Sequence, residues 1–243
     1  MKILITNDDG IDTLGIKLLA NWAKTLGEVT VVAPKVEQSA KSHAIELIKQ
    51  IEIKKVPFMD GVTAYSMDST PADCVRYGVL GLKEKFDLVL SGVNKGVNVG
   101  VDVVYSGTCG AVFEAARLGL KGLAFSAFPD GQENAAKYFD EVYAYIQKNN
   151  LLEENPIYNV NIPYEAKGIR MTYEGSQYFS DDFVQIAKDT YIQAGEPIAD
   201  EYPNDLDRDT VALHAGYITL TPLMATRTNM QVFEKFRTPK TEN

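Results

Sequence analysis

Two acids stand side by side near the start of the chain, Asp8 and Asp9, directly after the apolar run Ile3-Leu4-Ile5-Thr6 and ahead of Gly10. At ~4 Å two carboxylates repel each other by about 4 kcal/mol at an effective dielectric of ~20, and a divalent ion between them reverses the sign. Capping a helix takes one acid, not two at the end of a strand, so the pair reads as a site. Two further clusters carry residue types that complete it. One follows Pro34 and holds Gln38, Ser39, Lys41, Ser42 and His43; the other is Ser91-Gly92-Val93-Asn94. Carboxylate, hydroxyl and amide oxygens in combination favour a hard cation, Mg²⁺ or Mn²⁺.

A glycine-rich stretch, SGVNKGVNVGVDVVYSGTCG over 91–110, leads into a helical pattern from Ser106. Glycines let a ligand approach the backbone, and a helix start presents free N–H groups and a positive dipole end to an anion. Ser106-Gly107-Thr108 is therefore a phosphate cradle in prospect, reinforced by the acid pair. Several other chemistries are excluded. There is no G-x-x-x-x-G-K-[ST], and carboxylates stand where a dinucleotide site needs G-x-G-x-x-G. His43 and His214 are the only histidines, and no G-x-S-x-G elbow supports a serine triad. The D-x-D of haloacid-dehalogenase-type phosphatases is missing, since the next acid after Asp9 is Asp12. A phospho-receiver domain shares the acid pair but needs a phosphoaccepting Asp after a middle strand, where this chain has Ser91, and about half this length.

The elements that must position these residues alternate. Lys2–Thr6, Glu28–Ala33, Asp87–Leu90 and Leu123–Ala127 read as buried strands, and Leu14–Thr25, a start at Thr70-Pro71-Ala72-Asp73, Thr108–Leu118 and Asn134–Lys148 as helices. Alternation of this kind predicts right-handed βαβ units and a Rossmann-like α/β fold, a mostly parallel sheet with helices on both faces. Ligands then bind at the carboxyl ends of the strands, where the three clusters fall. Ile45–Val56 reads as an inserted strand or hairpin. After Asn150 helical periodicity weakens and seven of the thirteen tyrosines follow; Glu196–Asp209 reads as an exposed acidic loop and Tyr217–Pro222 as a strand. The expected organisation is a catalytic core over 1–150 and a β-rich extension over 151–243 packed on the same core, with hairpin and C-terminal arms that make subunit contacts.

The chain has 243 residues and a net charge of −9. That balance disfavours duplex nucleic acid and anionic membranes as partners. Cys74 and Cys109 are too few for a disulfide framework or a cysteine-only zinc site and read as buried small hydrophobes. No apolar run has the ~20 residues that span a bilayer, and the N-terminal one is too short for a signal core. A cytoplasmic protein is expected.

The motifs ILITNDDGID, VVAPKVEQSAKSHAI, STPADCV, SGVNKGVNVGVDVVYSGTCGA and GYITLTPL, in this order and through most of the chain, resemble the SurE family, stationary-phase survival proteins that act as 5′/3′-nucleotidases. The resemblance implies that Asp8, Asp9, Ser39 and Asn94 hold one divalent metal ion, Mg²⁺ or Mn²⁺, and that Asn98, Ser106, Gly107 and Thr108 bind the substrate phosphate. It implies a Rossmann-like core with arms that build homodimers or homotetramers. Ala40 departs from the family's usual Gly, and Cys109 from its usual Val. The expected function is metal-dependent hydrolysis of nucleoside 5′-monophosphates, with action on 3′-monophosphates left open, and with Asp8 and Asp9 as the catalytic pair. Whether Asp8 activates a water or attacks directly is left open by the residues, as are the preferred base and the physiological metal.

Overall fold

A computed structural model describes residues 1–237; the end of the expected C-terminal extension, 238–243, lies outside the described residues. Eleven strands and eight α-helices follow one another among these residues. β1 (Lys2–Thr6), α1 (Leu14–Ala23), β2 (Glu28–Pro34), β3 (Ile53–Val56), β4 (Thr63–Met67), α2 (Pro71–Arg76), β5 (Leu88–Lys95), α3 (Gly107–Arg117) and β6 (Lys121–Ala127) make the first part. α4 (Gln132–Ala136), α5 (Phe139–Lys148), α6 (Leu151–Glu154), β7 (Ile157–Ile162), β8 (Ile169–Met171), β9 (Asp182–Ala187), β10 (Thr190–Ala194), α7 (Asp209–His214), β11 (Ile218–Pro222) and α8 (Met230–Phe236) make the rest. A π-helical turn over Tyr77–Gly81 extends α2, and a 3₁₀ turn over Gly100–Tyr105 precedes α3.

One nine-stranded sheet organises the molecule, in the order β3-β4-β2-β1-β5-β6-β7-β11-β8. It is mostly parallel; only the β3–β4 and β7–β11 pairs are antiparallel. Strand alternation sorts its two faces. Ile3 and Ile5 of β1 pack with Leu19 of α1 and with Phe139 and Ile146 of α5, whereas Leu4 packs with Cys74 and Val75 of α2 and Ala111 and Ala115 of α3. Each of the fully buried Ile, Leu, Val and Phe side chains among these contributes about 1.5–3 kcal/mol. Trp22 closes the first face, edge-on to Phe125 and Tyr143. Both cysteines are buried and free. The sheet does not stop at residue 150: β7 pairs with β6 in parallel, and β11 and β8 complete the edge.

Three local expectations change. The helix expected over Asn134–Lys148 is two helices, broken at Lys137 and Tyr138. Tyr138 leaves α-helical geometry (φ −106°, ψ −1°), its hydroxyl accepts the Ala166 N–H, and Phe139 turns in against Trp22. Of the insertion over Ile45–Val56 only Ile53–Val56 is a strand; earlier, the Glu46 carboxylate gathers the N–H groups of Ile48 and Lys49 into a turn. In the loop before α7 Asp200 is ion-paired with Arg208, and Asp209 at the start of α7 is fully buried, so the acidic segment is anchored rather than simply exposed. β9 and β10 form a separate antiparallel hairpin. No described helix is long and apolar enough to cross a membrane.

Candidate active site

Strand order reverses at β1. The chain runs from β1 outward to β2 and then returns to β5 on β1's other side. A crevice opens at the carboxyl ends of the strands at such a point, and β1 and β5 deliver Asp8, Asp9 and Asn94 to it. A cleft of about 550 Å³ lies there, lined by Asp8, Ser39, Asn94, Asn98 and Ser106 together with Tyr105, Tyr178, Phe179, Asp181 and Gln193. Three of the four residues expected to hold a metal, and two of the four expected to hold phosphate, thus face one space. Asp9 lines an adjoining groove with Glu37, Lys95 and Glu133. Gly107 and Thr108 lie buried behind Asp8.

Asp8 is 4% exposed. Its Oδ1 accepts the Thr108 hydroxyl at 2.5 Å, and its Oδ2 lies over Gly107, where a Cβ would come within 2.9 Å. Glycine there lets the first turn of α3 close on the carboxylate. Burial pushes the Asp8 carboxyl up to about 6; the Thr108 hydrogen bond opposes this and the Asp9 charge adds to it. Asp9 is half-buried. Burial raises it too, against the Lys95 N–H that it accepts at 3.0 Å.

Asn94 reaches the cleft because β5 is irregular between Ser91 and Asn94. Gly92 allows this, with φ +124° and a backbone so close that a Cβ would strike the Phe125 carbonyl. The Asn94 amide nitrogen donates to the Gly96 carbonyl at 2.8 Å, which leaves the side-chain oxygen as an acceptor. The exposed Ser39 hydroxyl donates to Glu37 at 2.5 Å, which leaves its lone pairs open. Apart from the exposed Lys95, the groups at this end are therefore oxygen acceptors, and Asp8 in the cleft and Asp9 in the adjoining groove are carboxylates whose charge burial disfavours. That donor set fits a hard cation. Among the described residues no three His, Cys, Asp or Glu side chains converge, so a cation here draws on the neutral oxygens of Ser39 and Asn94 as well.

Ser106 caps α3, its hydroxyl accepting the Cys109 N–H at 3.1 Å. The rest of the glycine stretch is held by residues that sequence reasoning missed. Asn161 accepts the Asn98 N–H at 2.8 Å and, with Asn159, donates to the Asn98 carbonyl. The Asn98 amide donates to Ser126. Asp209 gathers the N–H groups of Gly100 and Gly175 at 3.0 and 2.7 Å, and burial lifts its pKa to about 6. Asp102 takes the N–H groups of Tyr178 and Phe179, both at 2.9 Å, and so fixes the aromatic wall of the cleft. The available signal for the asparagines was their spacing: Asn159 and Asn161 sit on one face of an otherwise apolar strand, two residues apart.

The family model described as "Survival protein SurE" matches residues 3–181. A protein of Thermoanaerobacter sp. (strain X514) described as 5′-nucleotidase SurE is 39% identical over 233 residues, covering 92% of each chain. A Legionella pneumophila relative of the same description is 35% identical over 247 residues, covering 96% of this chain and 95% of its own. Among solved structures, the SurE protein of Aquifex aeolicus aligns with a TM-score of 0.81 at 32% identity over 98% of both chains.

Proposed function

The chain belongs to the SurE family, and on that premise we propose that it is a divalent-metal-dependent 5′-nucleotidase, hydrolysing nucleoside monophosphates to nucleoside and phosphate. The observation that carries this reading is the convergence of Asp8, Ser39 and Asn94 on one cleft with the start of α3. Asp8, Asp9, Ser39 and Asn94 would hold one Mg²⁺ or Mn²⁺ ion. Such an ion, when bound, neutralises charge on a phosphate oxygen. Ser106 keeps a proton to donate to another oxygen, and the α3 dipole favours the anion. Asn98, clamped from β7, gives one amide N–H to Ser126 and keeps the other to donate to the same anion. Thr108 acts through Asp8, to which its hydroxyl is committed. The nucleoside lies toward Tyr105 and Phe179, which offer apolar ring surface, with Asp181 and Gln193 in reach of polar edges.

The test is Asp8→Asn with AMP and 3′-AMP at saturating Mn²⁺. Loss of a charged ligand worth several kcal/mol predicts a fall of about 10²–10³-fold; undiminished hydrolysis would overturn the assignment. The arms fit subunit contacts. β9 and β10 expose Phe183, Ile186 and Tyr191, α8 exposes Phe233 and Phe236, and neither arm has a fully buried residue. Apolar surface of this kind favours a homodimer or homotetramer; a monomer by sedimentation at micromolar concentration would remove that part of the reading. A cytoplasmic setting accords with these assignments, and fractionation tests it: recovery of the native protein outside the cytoplasm would overturn it.

A further inference from the structure

The loop that carries Ser39 runs over residues 35–52 without helix or strand, a length that in a compact fold marks a working segment. With no ladder to hold it, its course is set by its anchors. Upstream of Ser39, the Gln38 N–H donates to the Asp8 carbonyl at 2.7 Å. Downstream, the Ser42 N–H donates to the Tyr105 carbonyl at 3.0 Å, and the Ser42 hydroxyl to the Val104 carbonyl at 2.6 Å. His43 Nε2 then meets Glu114 at 2.8 Å. Between these anchors Ala40 and Ser42 have left-handed backbones, φ +57° and +53°, which non-glycine residues keep only where their surroundings enforce it.

Glu114 is an unusual resident of a helix. Its side chain is 2% exposed, yet it also takes Arg76 of α2 at 3.0 Å and Arg117 of α3 at 2.9 Å. Burial opposes its charge, but the hydrogen bonds from His43, Arg117 and Arg76 outweigh it and hold the pKa at about 2. One turn earlier Gly110 is trimmed to the backbone so that the loop can lie on α3; a Cβ there would strike the Ser42 carbonyl. Neither His43 nor Glu114 lines the cleft.

We propose that Glu114, acting through His43, is a positioning residue: it latches the Ser39 loop onto the helix whose first turn holds Asp8, so that Ser39 stays within reach of the cation site. The consequence for catalysis rests on the nucleotidase reading; the latch itself does not.

The test compares His43→Ala, His43→Gln and Arg117→Ala, the last touching Glu114 but not the loop. Mn²⁺ affinity is read by calorimetry without substrate, loop release by trypsin cleavage after Lys41, and folding by thermal melts. His43→Ala is expected to lose roughly tenfold or more in Mn²⁺ affinity, as outer partners of metal ligands do, and to be cut faster at Lys41. In AMP assays its metal requirement rises while kcat at saturating Mn²⁺ changes less than about threefold. His43→Gln keeps an N–H for Glu114 and recovers most of the affinity; Arg117→Ala stays near wild type. Wild-type Mn²⁺ affinity and Lys41 cleavage in His43→Ala would overturn the proposal, as would equal losses in Arg117→Ala that track its Tm. If His43→Ala does not fold, His43→Asn, whose amide falls short of Glu114, takes its place with the same outcomes. Were the wild-type protein to bind no Mn²⁺ or leave AMP intact, the nucleotidase reading would fall, and the trypsin comparison would still decide the latch.

Discussion

Helix α3 buries a carboxylate at its first turn and another further along, and the pKa values of the two are pushed in opposite directions. Asp8 packs against Gly107 and meets one neutral hydroxyl, with a second acid as its neighbour; its pKa is pushed up to about 6. Glu114 is as deeply buried and meets an imidazole and two guanidinium groups; its pKa is held at about 2. Burial disfavours the charge in both, so the partners decide the outcome. Glu114 has its cations in the fold. Asp8 does not: apart from the exposed Lys95, the cleft beside it offers further oxygen acceptors. A buried carboxylate that lacks positive charge and opens on a cleft favours a cation from solution, whereas Asp209, equally without cations but closed in by backbone N–H groups, and Glu114, already saturated, mark structure. That difference separates ligand from latch on a single helix.

Neutralising each carboxylate in metal-free protein breaks the comparison most directly. The folded pKa of Asp8 lies above its ordinary 3.8, so its charge costs stability above pH ~6, and the cost is relieved as pH falls toward 4. Two pK units correspond to about 3 kcal/mol. Asp8→Asn should therefore raise the unfolding free energy in EDTA at pH 8 by about 2–3 kcal/mol, a gain that vanishes near pH 4. The folded pKa of Glu114 lies below 4.5; its contribution is complete above that value and disappears only as pH falls through 2. Glu114→Gln strands partly buried cations and should cost about 2–4 kcal/mol at pH 8 and at pH 5 alike. Urea unfolding at the three pH values reads both. Changes of the same sign in the two variants would end the distinction.

The Asp8 end of this comparison was legible in the sequence and the Glu114 end was not. Asp8, Asp9 and Asn94 follow short apolar runs that become β1 and part of β5, and the rule that parallel strands present their carboxyl ends to ligands is topological. Ser106 announces itself as a cap before a helical pattern. Glu114 looks in sequence like a surface acid paired with Arg117 three residues on; its burial comes from α2 and the Ser39 loop, which no local pattern predicts. Asn159 and Asn161 act across more than sixty residues on Asn98. Thr108 was expected at the phosphate because it shares a motif with Ser106, but successive helical residues point in different directions, and its hydroxyl turns in to Asp8. β4 went unread because Thr63–Met67 mixes polar and apolar residues without a clean alternation.

A smaller effect sharpens the Asp8 end. Thr108→Val keeps the shape of the side chain and removes the side-chain donor that pulls the Asp8 pKa down most, leaving the backbone N–H groups of Asp8 and Thr108 in place. A hydrogen bond to a charged group is worth about 1.5–3 kcal/mol, so Asp8 should hold its proton to a pH about one unit higher or more. Bound cation competes with that proton. The Mn²⁺ affinity of Thr108→Val, followed by calorimetry from pH 5.5 to 8, should fall away at correspondingly higher pH than in wild type, while Thr108→Ser should not move. An unchanged pH profile would mean that the Thr108 hydroxyl does not tune Asp8 and that burial and the Asp9 charge set its raised pKa against the backbone donors.

The smallest effect concerns the latch end. Ala40 stands where the family resemblance leads one to expect glycine, and its backbone is left-handed (φ +57°). A Cβ in that region costs about 1–2 kcal/mol, while glycine loosens the unfolded chain by about 0.5–1 kcal/mol. Ala40→Gly should therefore change stability by no more than about 1.5 kcal/mol, in the stabilising direction. The informative quantity is its coupling to His43→Ala. If the Glu114 latch is what forces Ala40 into this conformation, the strain disappears once His43 is gone, and Ala40→Gly in that background becomes destabilising by about 0.5–1 kcal/mol. Residues in contact through one strained segment show couplings of about 0.5–3 kcal/mol, and independent ones add within about 0.5 kcal/mol. An additive pair in urea unfolding would place the strain at Ala40 under the control of Ser42 and Gln38 instead, and would leave Glu114 holding only the imidazole.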